Sequence, residues 1–175
     1  MIETAVLIGN ALSLCAMVSD SISGTRKKRN EILAVQTVSQ FFYAASSIVL
    51  KGYSSTAQNA VAVFRNIAAM KNVKSRALEW VLILAGVALG VLLNNRGLLG
   101  WLPIAANLEY SVCMFRFKEN EKALKLSFIV NMVMYAVFSA VIRNYVGVVS
   151  CTVIAVTTAV SLIRAKQEKA EESKT

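Results

Sequence analysis

Two ionisable side chains, Arg65 and Glu109, stand deep inside apolar stretches of this chain. A charge held away from water is costly, so it is matched by a partner or kept for a task. If both stretches are helices, Glu109 lies roughly 10 Å and Arg65 roughly 9 Å from the basic ends of their segments at ~1.5 Å per residue. The matching depth predicts an ion pair between them. The alternative is an arginine that snorkels to the nearer surface and a glutamate satisfied separately. As an ion pair they would latch two elements. Alone, the guanidinium fork would suit a carboxylate or phosphate group.

Neutral polar residues fall at helical spacing around these two. Ser39, Tyr43 and Ser47 recur every four residues, as do Asn131, Tyr135 and Ser139, and Gln36 and Gln40 extend the first stripe. Asn10, Ser13, Met17 and Asp20 form a polar-leaning face, and Asn59 and Asn66 share another. Such stripes either hydrogen-bond helices together or line a cavity. The candidate solute-binding set is Tyr43, Asn59, Arg65, Asn66, Glu109, Asn131 and Tyr135. Covalent chemistry is not expected: there is no histidine, no cluster of carboxylates and no glycine-rich phosphate loop. Cys15, Cys113 and Cys151 lie within apolar runs, without metal-site or disulfide-framework spacing. No catalytic residue, cofactor or metal is expected.

The elements that must carry these residues are seven apolar segments, near 4–22, 32–50, 56–70, 78–93, 98–115, 124–142 and 146–163. At 56% hydrophobic residues and a mean hydropathy of +0.55, the chain is too apolar for an ordinary soluble domain. The net charge of +9 does not point to nucleic acid, because the cations gather at segment ends and the aromatics lie inside apolar runs. Segments spanning a bilayer must be helices, since an open sheet leaves its backbone unsatisfied in hydrocarbon. The fold class is therefore all-α, a polytopic membrane protein whose partner is the lipid bilayer.

Charge sets the expected orientation. Sixteen of the nineteen Lys and Arg residues fall on one side of the ladder, around Arg26–Arg29, Lys71–Arg76, Arg116–Lys125 and Arg164–Lys174. Lys51, Arg96 and Arg143 stand alone in the turns between. Cytoplasmic loops retain cations, which puts the N-terminus outside and the C-terminus inside. Trp101, Tyr53 and Tyr145 would form an interfacial belt on one side and Trp80 on the other. Pro103, the single proline, is either a helix start or a hinge.

A repeat organises the ladder. Tyr43–Tyr53 aligns with Tyr135–Tyr145 at an offset of 92 residues, sharing Tyr, Ala, Ser, Val and Tyr and matching Lys51 with Arg143. Segments one to three then correspond to five to seven, and segment four is an unpaired linker. The odd linker keeps both units in one orientation, a three-plus-one-plus-three parallel repeat of the kind found in SWEET-type transporters. The expected units are a first bundle over 1–73, a linker helix over 74–96, a second bundle over 97–166 and a charged tail over 167–175. Gly86 and Gly90 give the linker a small-residue face for packing within the chain or, alternatively, for a homo-oligomer.

The run from Asn59 to Asn66, with Arg65 inside it, resembles the YgjV-like bacterial inner membrane proteins. Tyr43, Pro103, Arg164 and the 175-residue length also fit. The resemblance implies a multi-pass protein of the bacterial cytoplasmic membrane, distantly similar to PQ-loop and SWEET-type folds. It implies no particular substrate. The chain departs from PQ-loop proteins in having no Pro-Gln pair, and the repeat pairs Pro103 with Ala11. Two functions are expected: a transporter or facilitator of a small polar or anionic solute, or a membrane scaffold or sensor that transports nothing.

Overall fold

The structure, a computed structural model, describes residues 2–23, 29–71, 73, 75–116 and 121–172. It consists of seven helices: α1 (Ile2–Ser23), α2 (Arg29–Val49), α3 (Tyr53–Met70), α4 (Arg76–Leu92), α5 (Trp101–Arg116), α6 (Glu121–Val141) and α7 (Tyr145–Glu172). Among the described residues there is no strand. Each apolar segment has become one helix, and most ends fall within about one turn of expectation. Two ends differ. A 3-10 turn over Gly97–Gly100 delays α5, because Gly97 takes a left-handed φ of 56° and Gly100 packs on the Asn94 side chain. In addition, α7 runs on to Glu172, through a stretch of Ala, Lys, Gln and Glu that favours helix. The expected basic positions Arg26, Lys27, Lys28, Lys74, Lys118 and Lys174 lie outside the described residues.

Packing closes a ring. α1 packs on α2, α2 on α3, α3 on α5, α5 on α6, α6 on α7, and α7 returns to α1. Helix α4 stands outside the ring, in the seam between α3 and α5. Its N-terminus is capped by Ser75, whose hydroxyl accepts from Leu78 N–H at 3.3 Å. Pro103 is buried in the first turn of α5, where its missing N–H removes no helical bond.

Burial is inverted relative to a water-soluble protein. Serines 13, 39, 46 and 54 and Gln58 are buried, while Leu7, Phe41, Phe64, Leu84, Leu92 and Leu98 face outward. An apolar belt of this size covering a polar interior needs hydrocarbon around it. Two stretches, Glu3–Ile22 and Tyr145–Arg164, are long and apolar enough to cross a membrane on their own hydropathy. Helices α2 and α6 carry the shorter apolar stretches Leu33–Val49 and Lys125–Val141. Tyr53, Trp101 and Tyr145 all open helices and are all exposed.

The turns after α2 and α6 are built alike. Gly52 N–H donates to Ser47 C=O at 2.7 Å and Lys51 N–H to Ile48 C=O at 3.0 Å. The same two bonds, displaced by 92 residues, join Asn144 to Ser139 at 2.8 Å and Arg143 to Ala140 at 3.1 Å. Lys51 and Arg143 both sit in the left-handed region, with φ of 56° and 61°. This pair of hydrogen bonds is the usual way to satisfy the last carbonyls of a helix, but glycine normally takes the left-handed position. Each turn is also tied to a distant segment, the first to the connection after α4 and the second to α1. Asn10 donates to Arg143 C=O at 2.9 Å, while Asn95 and Arg96 donate to Lys51 C=O at 2.8 and 3.2 Å. Leu50, Phe138 and Ile142 fill the space between the turns, with Val6 and Leu102 against them.

The glycine face of α4 is turned inward. A side chain at Gly90 would come within 2.6 Å of Gln58 Nε2 and 2.7 Å of Ile104, and Gly86 lies against Gln58 and Val61. Within the chain, α3 and α5 cover the Gly86 and Gly90 face of α4.

Candidate functional site

The ring encloses a cavity of about 360 Å³, lined from α1, α2, α3, α5, α6 and α7 but not from α4. Its walls repeat at the 92-residue offset: Gln36 with Phe128, Gln40 with Met132, Tyr43 with Tyr135, Ser47 with Ser139. The third helices continue the pattern with Ser55 and Gly147, Gln58 and Ser150, Asn59 and Cys151, and Ala62 and Ile154. The ring contacts obey the same exchange, since α3 on α5 becomes α7 on α1. The cavity is thus lined by residues from both α1–α3 and α5–α7.

Among the described residues, Asp20 and Arg65 are the charged ones that line it, and they stand in separate surroundings. Asp20, near the end of α1, accepts a short hydrogen bond from Ser39 Oγ and lies within reach of the Tyr43 hydroxyl. Tyr43 also meets Ser150 Oγ at 3.3 Å. Arg65, near the end of α3, is flanked by Tyr110 and Tyr135. Tyr110 in turn packs on Phe128, with ring centroids 5.6 Å apart. Among the described residues, nothing hydrogen-bonds or ion-pairs with the Arg65 guanidinium. The amides of Asn59 and Asn66 and the Tyr135 hydroxyl are equally unspent among the described residues, and all three residues border the cavity. These donors are accessible from the cavity, unlike Ser54 Oγ, Glu109 Oε2 and Ser127 Oγ, which are the buried polar atoms without a partner among the described residues.

Six of the seven candidate residues line this one cavity: Tyr43, Asn59, Arg65, Asn66, Asn131 and Tyr135. Asn131 also donates to Ala106 C=O at 2.7 Å, which ties α6 to α5. Glu109 does not line the cavity, and the expected Arg65–Glu109 pair is not formed. Its Oε1 accepts from the Cys113 thiol at 3.5 Å, and its Oε2 has no hydrogen-bond partner among the described residues. The reason is angular. Asn107 and Tyr110 present the cavity face of α5, and Glu109 follows Asn107 by two residues, about 200° round the helix.

Several lining residues escaped the sequence reading. Asp20 and Gln36 were visible as members of polar stripes, but nothing marked them as sharing a space with Arg65. Asn107 and Tyr110 carry a signal, a three-residue spacing on one face of α5. Gln58 links three helices: Nε2 donates to Gly86 C=O at 2.8 Å and Oε1 accepts from Asn107 at 2.6 Å. Among the described residues no three Cys, Asp or Glu side chains converge on a metal position.

An apolar exterior, a polar interior and a closed helical ring define an integral membrane protein. The chain belongs to the Imp-YgjV family of bacterial inner membrane proteins, whose profile matches residues 7–169. No curated protein and no solved structure matches it.

Proposed function

We propose that this protein is a seven-span inner membrane transporter or facilitator for a small polar solute, with its N-terminus outside and C-terminus inside. Helices α1–α3 and α5–α7 act as two parallel bundles related by an axis along the membrane normal, with α4 as the linker that keeps them in one orientation. The shared turn geometry, the exchange of ring contacts and the paired cavity walls support that arrangement. The distant similarity to SWEET-type folds belongs to the same proposal. The observation that carries the function is the cavity between the halves, bordered by Arg65, Asn59, Asn66 and Tyr135 with their donors unspent. A protein built only as a scaffold gains nothing from burying a guanidinium without a partner. The reaction is binding and passage, without covalent chemistry.

Two experiments test it. Alkaline phosphatase and green fluorescent protein fused to the C-terminus read topology; an active phosphatase there refutes the orientation. Purified protein in detergent, then in proteoliposomes, is given a panel of sugars, carboxylates, amines and zwitterions. The transporter reading expects at least one to raise the melting temperature and to cross the bilayer. If none does either, the protein is a scaffold or sensor.

A further inference from the structure

We infer that the cavity binds a small monocarboxylate, its carboxylate on Arg65 and its carbon chain against Phe128, Met132 and Ile154. This rests on the transporter reading and names its substrate class. The head of the site is on α3. Among the described residues, the Arg65 guanidinium meets no carboxylate and no hydrogen-bond acceptor. Its flanks are the phenols Tyr110 and Tyr135, and Asn59 and Asn66 border the same space from α3. Asp20 is engaged elsewhere, with Ser39 Oγ among its contacts, and makes no ion pair with Arg65. A guanidinium fork takes a carboxylate through two parallel hydrogen bonds. The amides of Asn59 and Asn66 and the Tyr135 hydroxyl add neutral donors around it. A phosphate dianion would bring a second charge, and among the described residues no second cation lines the wall.

The tail of the site begins beside the head. Tyr110, which flanks Arg65, packs on Phe128 with ring centroids 5.6 Å apart. Phe128, Met132 and Tyr135 follow one another at spacings of four and three residues, which keeps them on the cavity face of α6. Cys151 and Ile154 hold a three-residue spacing on α7, with Cys151 near Tyr135. A chain leaving Arg65 along this side meets carbon and sulfur, where a second charged group would lose its water without replacement. Each methylene buried there is worth roughly fourfold in affinity. Size agrees, since about 360 Å³ holds roughly a dozen water-sized groups at ~30 Å³ each. The cation also departs from the repeat: the offset pairs Arg65 with Thr157, so the duplicated architecture does not require it.

The test compares butyrate, valerate and benzoate with acetate, butyramide, butylamine, inorganic phosphate and glucose, on the full-length protein in detergent. Melting temperature ranks every compound, and competition against radiolabelled butyrate places each at the same site. The expected result is stabilisation by the longer carboxylates at concentrations at least tenfold below all the others. Arg65→Gln is expected to lose at least tenfold in butyrate affinity. Should it fail to fold, Arg65→Lys keeps the charge and loses the fork, and an intermediate affinity is expected. Met132→Gln gives α6 the residue that α2 carries at the paired position, Gln40. It is expected to narrow the preference for butyrate over acetate at least threefold while acetate binding holds. Butyramide matching butyrate overturns the role of Arg65, and acetate or phosphate matching it overturns the apolar tail; either leaves transport standing. Stabilisation by butylamine or glucose alone overturns the carboxylate and also leaves transport standing. Failure of every compound to stabilise or to compete overturns both.

Discussion

Gln58 offers the sharpest test of how α4 is held to the ring. Its side chain is buried, donates to Gly86 of α4 and accepts from Asn107 of α5, so one amide joins three helices. Hydrogen bonds between membrane helices average about 0.6 kcal/mol and reach about 1.7 kcal/mol. Gln58→Leu removes two of them, which is about 1.2 kcal/mol, and strands the Asn107 amide, which adds about 1 kcal/mol. The single substitution is therefore expected to cost about 2 kcal/mol. Asn107→Leu removes one bond and is expected to cost about 1 kcal/mol. In the double variant the shared bond is lost once and no amide is stranded, so the total should fall about 1.6 kcal/mol short of the sum, one bond plus the stranding. Trp80 on α4 and Trp101 at the head of α5 report the unfolding by fluorescence as a denaturing detergent is titrated in. Strict additivity would refute the claim that this amide bridges the helices.

Four further outcomes follow from the same geometry. Arg65→Met, measured without solute, is expected to raise stability by about 1 kcal/mol or more, because it removes an unpartnered buried charge; a lower melting temperature would mean that Arg65 has a structural partner. Gly90→Leu is expected to cost about 1–3 kcal/mol, since a Cβ there already meets Gln58 and Ile104 below van der Waals contact, and a native melting curve would refute that packing. Asn10→Leu removes the bonds to Arg143 C=O and from Val146 N–H, which tie α1 to the α6–α7 turn. Faster hydrogen exchange at residues 143–148 is the expected sign, and unchanged exchange would show that the tie is dispensable. Glu109→Gln is expected to leave solute binding unchanged in the competition assay, because Glu109 lies off the cavity wall; a loss of binding would contradict its place on α5.

Helix number and ends were legible because hydropathy, basic clusters and Gly or Asn at the turns all report on one dimension of the chain. The offset between Lys51 and Arg143 was legible for the same reason, and it reappears as two left-handed residues in matching turns. What the sequence could not supply was rotation about each helix axis. In a segment that is apolar on most faces, rotation is decided by neighbours. Glu109 shows this: depth along α5 was read well, but a two-residue step turned it from Arg65 toward Cys113. Gly86 and Gly90 marked a close approach without naming the helix approached. Asp20 belonged to a visible stripe, yet its company with Tyr43 depends on how α1 leans on α2.

The paired positions of the cavity wall share a framework but not a chemistry. Tyr43 with Tyr135 and Ser47 with Ser139 are alike, whereas Gln36, Gln40 and Asn59 stand where the offset puts Phe128, Met132 and Cys151. One side of the space is therefore rich in amides and the other in apolar and sulfur-bearing side chains, a wet wall facing a dry one.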